Sequence, residues 1–218
     1  MRHLLWLSCA VSSIACAQQD PLMWIPLQVG TRWTYEHEWK SGDRNRPDVD
    51  RWRTEETVTG KVKVPEGLVV LRRVEIKEAP RVTHPGYLVA RDGQPYLVHA
   101  NCVYVIGEGW DRQNQSLRPR YQQYLAHNEL SADFCFPLQM GQHWGNNDVP
   151  WSVEPARAGM ASFVPQNYAG AIHIFSSHFG SGGWDDVWFQ KGIGVVGEHY
   201  IHNGTYDEYT KKLVSFTP

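Results

Sequence analysis

No apolar run in this chain reaches the roughly 20 residues that a membrane-spanning helix needs. The stretch at residues 4–14 is too short, and nothing later attains that length. Cysteine is scarce: there are four, and two of them, Cys9 and Cys16, fall in that first segment. An excess of one charge is missing too. The 21 basic and 23 acidic residues are interspersed, so neither nucleic acid nor an anionic membrane surface is implied as a partner. No serine or cysteine sits in a Gly-x-Ser-x-Gly elbow. The glycine runs lack the Lys-Ser/Thr of a phosphate loop and the βαβ setting of a dinucleotide site, so no cofactor is expected. Helical periodicity is confined to residues 120–128, where Tyr121, Tyr124 and Leu125 fall on one side.

What is present begins with a leader. MRHLLWLSCAVSSIACAQQ has a basic start at Arg2, an apolar middle and small residues at Ala15 and Ala17, the pattern of a secretory signal over residues 1–17. Cys16 admits lipid anchoring, but Ser13 stands where a lipoprotein site prefers an aliphatic residue, so soluble export to the periplasm or exterior is preferred. In an exported chain the two remaining cysteines, Cys102 and Cys135, read as one disulfide.

The remaining 200 or so residues, 18–218, suit a single β domain. Residues 33–39 alternate: Trp33, Tyr35, His37 and Trp39 point one way, Thr34, Glu36 and Glu38 the other. The segment KSGDRNRPDVD reads as an exposed connection. A second strand follows, with Trp52, Thr54, Val58, Val62 and Val64 on one face. A hairpin of the two sets Trp39 opposite Trp52, Glu38 opposite Arg53 and Glu36 opposite Glu55. Further strands are expected over residues 68–76, 87–90, 96–106, 195–202 and 206–216, with turns at Asp92-Gly93 and Asn203-Gly204.

The chain also echoes itself. Pro26-Leu27-Gln28, Gly30 and Trp33 return as Pro137-Leu138-Gln139, Gly141 and Trp144; Val64-Pro65 returns as Val164-Pro165; residues 87–93 match 187–192 in order. Three matches in one order read as two pseudo-repeats, residues 24–106 and 135–218. The expected fold is all-β and antiparallel, the two units packed as a sandwich or partly closed barrel, with one short helix.

The start Pro26 to Tyr35, a proline-leucine-x-x-glycine-x-x-tryptophan-x-tyrosine pattern, resembles a loose group of uncharacterised secreted proteins and lipoproteins of bacteria. Trp188-Phe189 before Gly192-Ile193-Gly194 is similar to the C-terminal signature of that group. The resemblance implies export and a β-rich fold, and it carries over no catalytic residue.

Candidate chemistry is thin. His173 with His178, and His199 with His202, are separated by odd numbers and face opposite sides of a strand, against the converging spacing of a zinc site, so no metal is expected. His37 reads as a hydrogen-bonded member of an aromatic face. Glu36, Asp185 and Asp186 are the carboxylates a glycoside hydrolase could use, but the Gly and Asp content around Asp185-Asp186 reads first as a turn. The ten tryptophans serve either a core or flat ligand surfaces. Trp110 and Trp184, among glycines in polar loops, are with Asp185 and Asp186 the candidate binding residues. The expected function is non-catalytic: binding of a small molecule, glycan or envelope protein, or a structural part of the envelope. A carbohydrate-active hydrolase and a carrier of apolar ligands are the alternatives.

Overall fold

The computed structural model describes residues 20–78, 93–146, 149–156, 163–168, 170–178, 182–202, 204 and 206–218. The leader, residues 87–90, Asp92 and Asn203 lie outside the described residues. The chain opens with β1 (Arg32–Asp43), β2 (Arg46–Val64), β3 (Gly67–Glu78), β4 (Tyr96–His99) and β5 (Cys102–Val105). A small hairpin, β6 (Trp110–Asp111) and β7 (Ser116–Leu117), and the helix α1 (Pro119–Ala126) follow, then β8 (Phe134–Cys135). The remaining strands are β9 (His143–Gly145), β10 (Pro150–Val153), β11 (Ile172–His178), β12 (Gly183–Gln190), β13 (Gly194–His202) and β14 (Tyr206–Thr217).

Twelve of these strands make one sheet, in the order β8-β5-β4-β3-β2-β1-β14-β13-β12-β11-β10-β9, antiparallel at every step. The sheet curls. Phe134 on edge strand β8 packs against Phe189, far along the sheet on β12, with ring centroids 5.3 Å apart. Trp24 stacks on Phe136 at 5.4 Å and closes the same end. The result is a nearly closed barrel rather than a sandwich. Its core joins Trp33, Val58, Val103, Trp151, Ile174 and Phe189 from both halves of the chain.

The β1 face is as the alternation predicts: Trp33, Tyr35, His37 and Trp39 are buried. The hairpin register is not. Trp39 faces Asp50 and His37 faces Trp52, a slip of two residues from the expected pairing. A two-residue slip keeps every side chain on its face, and it exchanges the Glu36–Glu55 repulsion for Glu36 against Arg53 and Glu38 against Arg51, both ion pairs. The expected connection at 40–50 is also strand: β1 runs to Asp43, and Asp43 Oδ1 accepts the Asn45 N–H (2.8 Å) at the tip. A bulge between Val58 and Gly60 reverses the parity beyond it, so Val62 and Val64 join an outer cluster instead of the Trp52 face. Residues 96–106 are two short strands, turned at Ala100 with φ +51°.

Two covers lie outside the barrel. On one side, Trp110, Leu117 and Leu125 pack with Val69 and Leu97. On another, Phe163 lies on Trp188 and His199. The first cover falls inside the loop closed by the Cys102–Cys135 disulfide, which spans 33 residues and joins directly paired positions of β5 and β8. Closing such a loop stabilises by about 3–4 kcal/mol on the chain-entropy model. The two Pro-Leu-Gln corners make matching backbone bonds. Gly30 N–H donates to Val58 O (2.9 Å), Val58 N–H to Thr31 O (3.0 Å) and Thr31 N–H to Gln28 O (3.1 Å). Gly141 N–H donates to Val153 O, Val153 N–H to Gln142 O and Gln142 N–H to Gln139 O, each 2.9 Å.

Candidate functional site

A curled sheet of this size either fills its interior with side chains or encloses space. Here a cavity of about 250 Å³ remains, reached by residues of β1 to β5, β8, β10 and β12 to β14. The inward parity stacks the interior in layers. On β2 the layers read Val58, Glu56, Thr54, Trp52; on β14 they read Leu213, Lys211, Tyr209; on β1 they read Trp33, Tyr35, His37, Trp39. Val58, Leu213 and Trp33 belong to the apolar floor. Trp39, Trp52 and Tyr209 form a separate aromatic cluster at the far end.

Between floor and cap the layer is ionic. Glu56, only 3% exposed, bridges two cations: Arg72 Nη1 at 2.7 Å and Lys211 Nζ at 2.8 Å. Arg72 Nε also donates to Gln94 O (2.9 Å), and its guanidinium lies 3.7 Å from the Tyr96 ring centroid. The Lys211 ammonium lies 4.2 Å from the centroid of Tyr35. Burial alone would raise the Glu56 pKa, but Lys211 and Arg72 outweigh it and draw the carboxyl down to about 2. His37, one layer on, bonds Tyr209 OH (2.8 Å) and Thr54 Oγ1 (2.7 Å) and stacks on Trp52. Burial, helped by the charge of Lys211 and opposed by Glu56, lowers its pKa to about 3. It is a neutral structural imidazole. Asp133, Asp185 and Glu198 complete the charged wall, with Asp133 Oδ2 accepting the Val105 N–H (2.7 Å).

A second polar group lies on the opposite face of β12. Asp186 is fully buried there, with His173 Nε2 at 2.8 Å and His199 Nδ1 at 3.7 Å. Beyond it, His199 Nε2 reaches Glu208 (3.3 Å), and Phe163 stacks on the His199 ring at 3.9 Å. Burial pushes the Asp186 pKa up, the flanking imidazoles pull harder, and the net shift is downward. Among the described residues no group of three metal-ligating side chains converges.

The four residues singled out from sequence therefore separate. Asp185 lines the cavity. Asp186, its neighbour in an alternating strand, points away into the histidine pair. Neither stands in a turn: both sit mid-strand in β12. Trp184 is half-buried, its indole N–H without a partner among the described residues, and Trp110 is a core anchor of the outer cluster, 5% exposed. Of the residues missed, Glu56, Arg72 and Lys211, two left a signal. Glu56 interrupts the inward row between Thr54 and Val58, and Lys211 interrupts it between Tyr209 and Leu213. A charge on the apolar parity marks a polar interior.

No family model matches the chain, and no curated protein does. Among solved structures, one from Bacteroides fragilis, named as an exported protein with a YmcC-like fold, shares 10% identity over 90% of this chain and 99% of its own, with a TM-score of 0.41. Another, named as a lipoprotein from Parabacteroides distasonis, shares 8% over 88% and 97%, with a TM-score of 0.39. Among the described residues no helix is long and apolar enough to cross a membrane.

Proposed function

We propose that this chain is an exported binding protein that holds a small ligand inside its curled sheet and does not transform it. The observation that carries this is the cavity itself, an aliphatic and aromatic wall with six charged side chains set into it. A barrel built only for support would be at least as stable with its interior filled by apolar side chains, since replacing a buried ion cluster with well-packed hydrophobics is commonly neutral or stabilising. Here Glu56, Arg72 and Lys211 line space instead. A carrier of purely apolar ligands would not need six charged side chains in its wall. A hydrolase gains no support: Glu36 is on the outer face, ion-paired with Arg53, and Asp186 points away from Asp185. Glu56 is shifted downward, the wrong direction for a proton donor. At about 250 Å³ the space is below the roughly 300–1,000 Å³ of drug-sized pockets, so the ligand is a small metabolite. Export is supported by the leader pattern of residues 1–17 and by the Cys102–Cys135 bridge.

The test is a thermal-shift screen of small sugars, amines, amino acids, carboxylates and fatty acids, followed by mass spectrometry of each stabilising compound after incubation. A compound that raises the melting point and is recovered unchanged is the expected result. Turnover would move the reading to an enzyme, and a uniformly silent screen would leave a structural protein.

We also infer that residues 24–106 and 135–218 descend from one duplicated β module. The matching corner bonds support it, as does the positive φ shared by Gly30 (+97°) and Gly141 (+79°) with open space where a Cβ would stand. Gly30→Ala and Gly141→Ala should then each cost about 1–2 kcal/mol, purely from backbone strain. Costs differing by several-fold in urea titrations would argue that the corners are unrelated.

A further inference from the structure

The cavity wall holds six charged side chains, yet it offers a ligand no free charge to pair with. Glu56 holds Arg72 on one carboxylate oxygen and Lys211 on the other. The same two cations lie over the rings of Tyr96 and Tyr35. The remaining charged residues of the wall are Asp133, Asp185 and Glu198. Each is engaged by other groups of the protein, Asp133 by the Val105 N–H among them. A ligand with a net charge would leave water for a space whose counter-charges are already in use, and burying an uncompensated ion is costly. A neutral ligand avoids that cost.

The wall is nevertheless rich in acceptors. An ionised carboxylate has about four lone-pair sites. Glu56, with one short bond on each oxygen, therefore still accepts from a hydroxyl without giving up either cation. Four carboxylates in one wall suit a ligand that brings several donors and no charge. The aromatic residues supply the complementary surface. Trp33 Nε1–H donates to Ile193 O (2.6 Å), Tyr35 OH donates to Val195 O (3.0 Å), and Tyr209 OH bonds His37 Nδ1 (2.8 Å). With their polar tips held by the protein, these three rings line the cavity mainly as carbon. Trp151 and Phe134 add to that surface, and Trp144 stacks with Trp151, the two planes 11° apart.

We infer that the ligand is a neutral polyhydroxylated ring, a single monosaccharide or cyclic polyol, its hydroxyls on Glu56 and Asp185 and a C–H face against Trp151. Such a ring carries its O–H donors at the rim and carbon on its faces, matching a pocket of apolar surface with a few placed polar groups. The volume of about 250 Å³ suits one ring rather than a chain of them. This inference rests on the binding reading above and narrows it.

The experiment is calorimetric titration at pH 6 with rings of one shape and three charges: glucose, glucosamine and glucuronate, and the corresponding galactose series. Inositol extends the neutral set, and phenol and cyclohexanol serve as neutral rings with a single hydroxyl. At least one neutral sugar or inositol should bind at least tenfold tighter than the amine, the uronate and the single-hydroxyl rings. Its affinity should change less than twofold between about 50 and about 500 mM salt, since no net charge is being paired. Trp151→Leu should weaken it at least tenfold, with circular dichroism reporting the fold. If Trp151→Leu fails to fold, the salt series and the charge series on the parent provide the decision. An amine or uronate binding as tightly as the neutral sugar would overturn the neutral assignment, and phenol or cyclohexanol doing so would overturn the polyol. Either outcome leaves the binding function standing. Silence from every ring, and from the wider screen, would overturn both.

Discussion

Glu56 sets the character of the interior. A carboxylate this deeply buried survives ionised only because Arg72 and Lys211 flank it, and removing it leaves two cations facing each other away from water. Glu56→Leu should therefore cost about 3–5 kcal/mol in urea unfolding. The triple change Glu56→Leu, Arg72→Met, Lys211→Met should recover part of that loss, because the two cations no longer face each other without Glu56. A triple variant as unstable as the single one would mean that the ion cluster is itself a stabilising device. His37 makes a second residue-scale prediction. Its pKa falls from 6.5 unfolded to about 3 folded, so between those values the unfolded chain binds a proton that the native state refuses. Stability consequently falls as pH drops through that window, by up to about 1.4 kcal/mol per pH unit. Glu56, depressed to about 2, adds loss of the same sign below about pH 4.5. The melting point should decline from pH 7 to 4, and His37→Gln should remove the part between 6.5 and 4.5. An unchanged slope in that variant would place the acid sensitivity elsewhere.

At the scale of elements, local pattern was enough wherever one strand face met the core and the other met water. The alternation of β1 and the spacing of Tyr121, Tyr124 and Leu125 in α1 could be read directly, because burial follows periodicity there. Pairing was harder. A register two residues off preserves every face, so only the side-chain pairs distinguish it, and Glu36 with Arg53 decided it. The bulge after Val58 has no strong sequence mark beyond Gly60, yet it sends Val62 and Val64 to the outer cluster. Asp185-Asp186 looked like a turn because glycines precede it. In a buried strand their alternation instead serves two polar environments, one inside the barrel and one behind it.

For the whole molecule, the curl of the sheet was not legible, since nothing local says that β8 will meet β12. The site depended on that closure: its wall gathers residues from ten strands, none within a motif. Of the candidate binding residues only Asp185 proved to line it. The space they enclose is the feature on which the proposed function stands, and blocking it is the direct way to examine that function. Val187 lines the cavity, and Val187→Phe should fill part of it at a stability cost of about 1–3 kcal/mol. The decisive measurement is a calorimetric titration of the best compound from the thermal-shift screen into the parent and into folded Val187→Phe. One-to-one binding by the parent, weakened at least tenfold in the variant, is predicted; equal affinity in the two proteins would place the ligand outside the barrel and contradict an interior site.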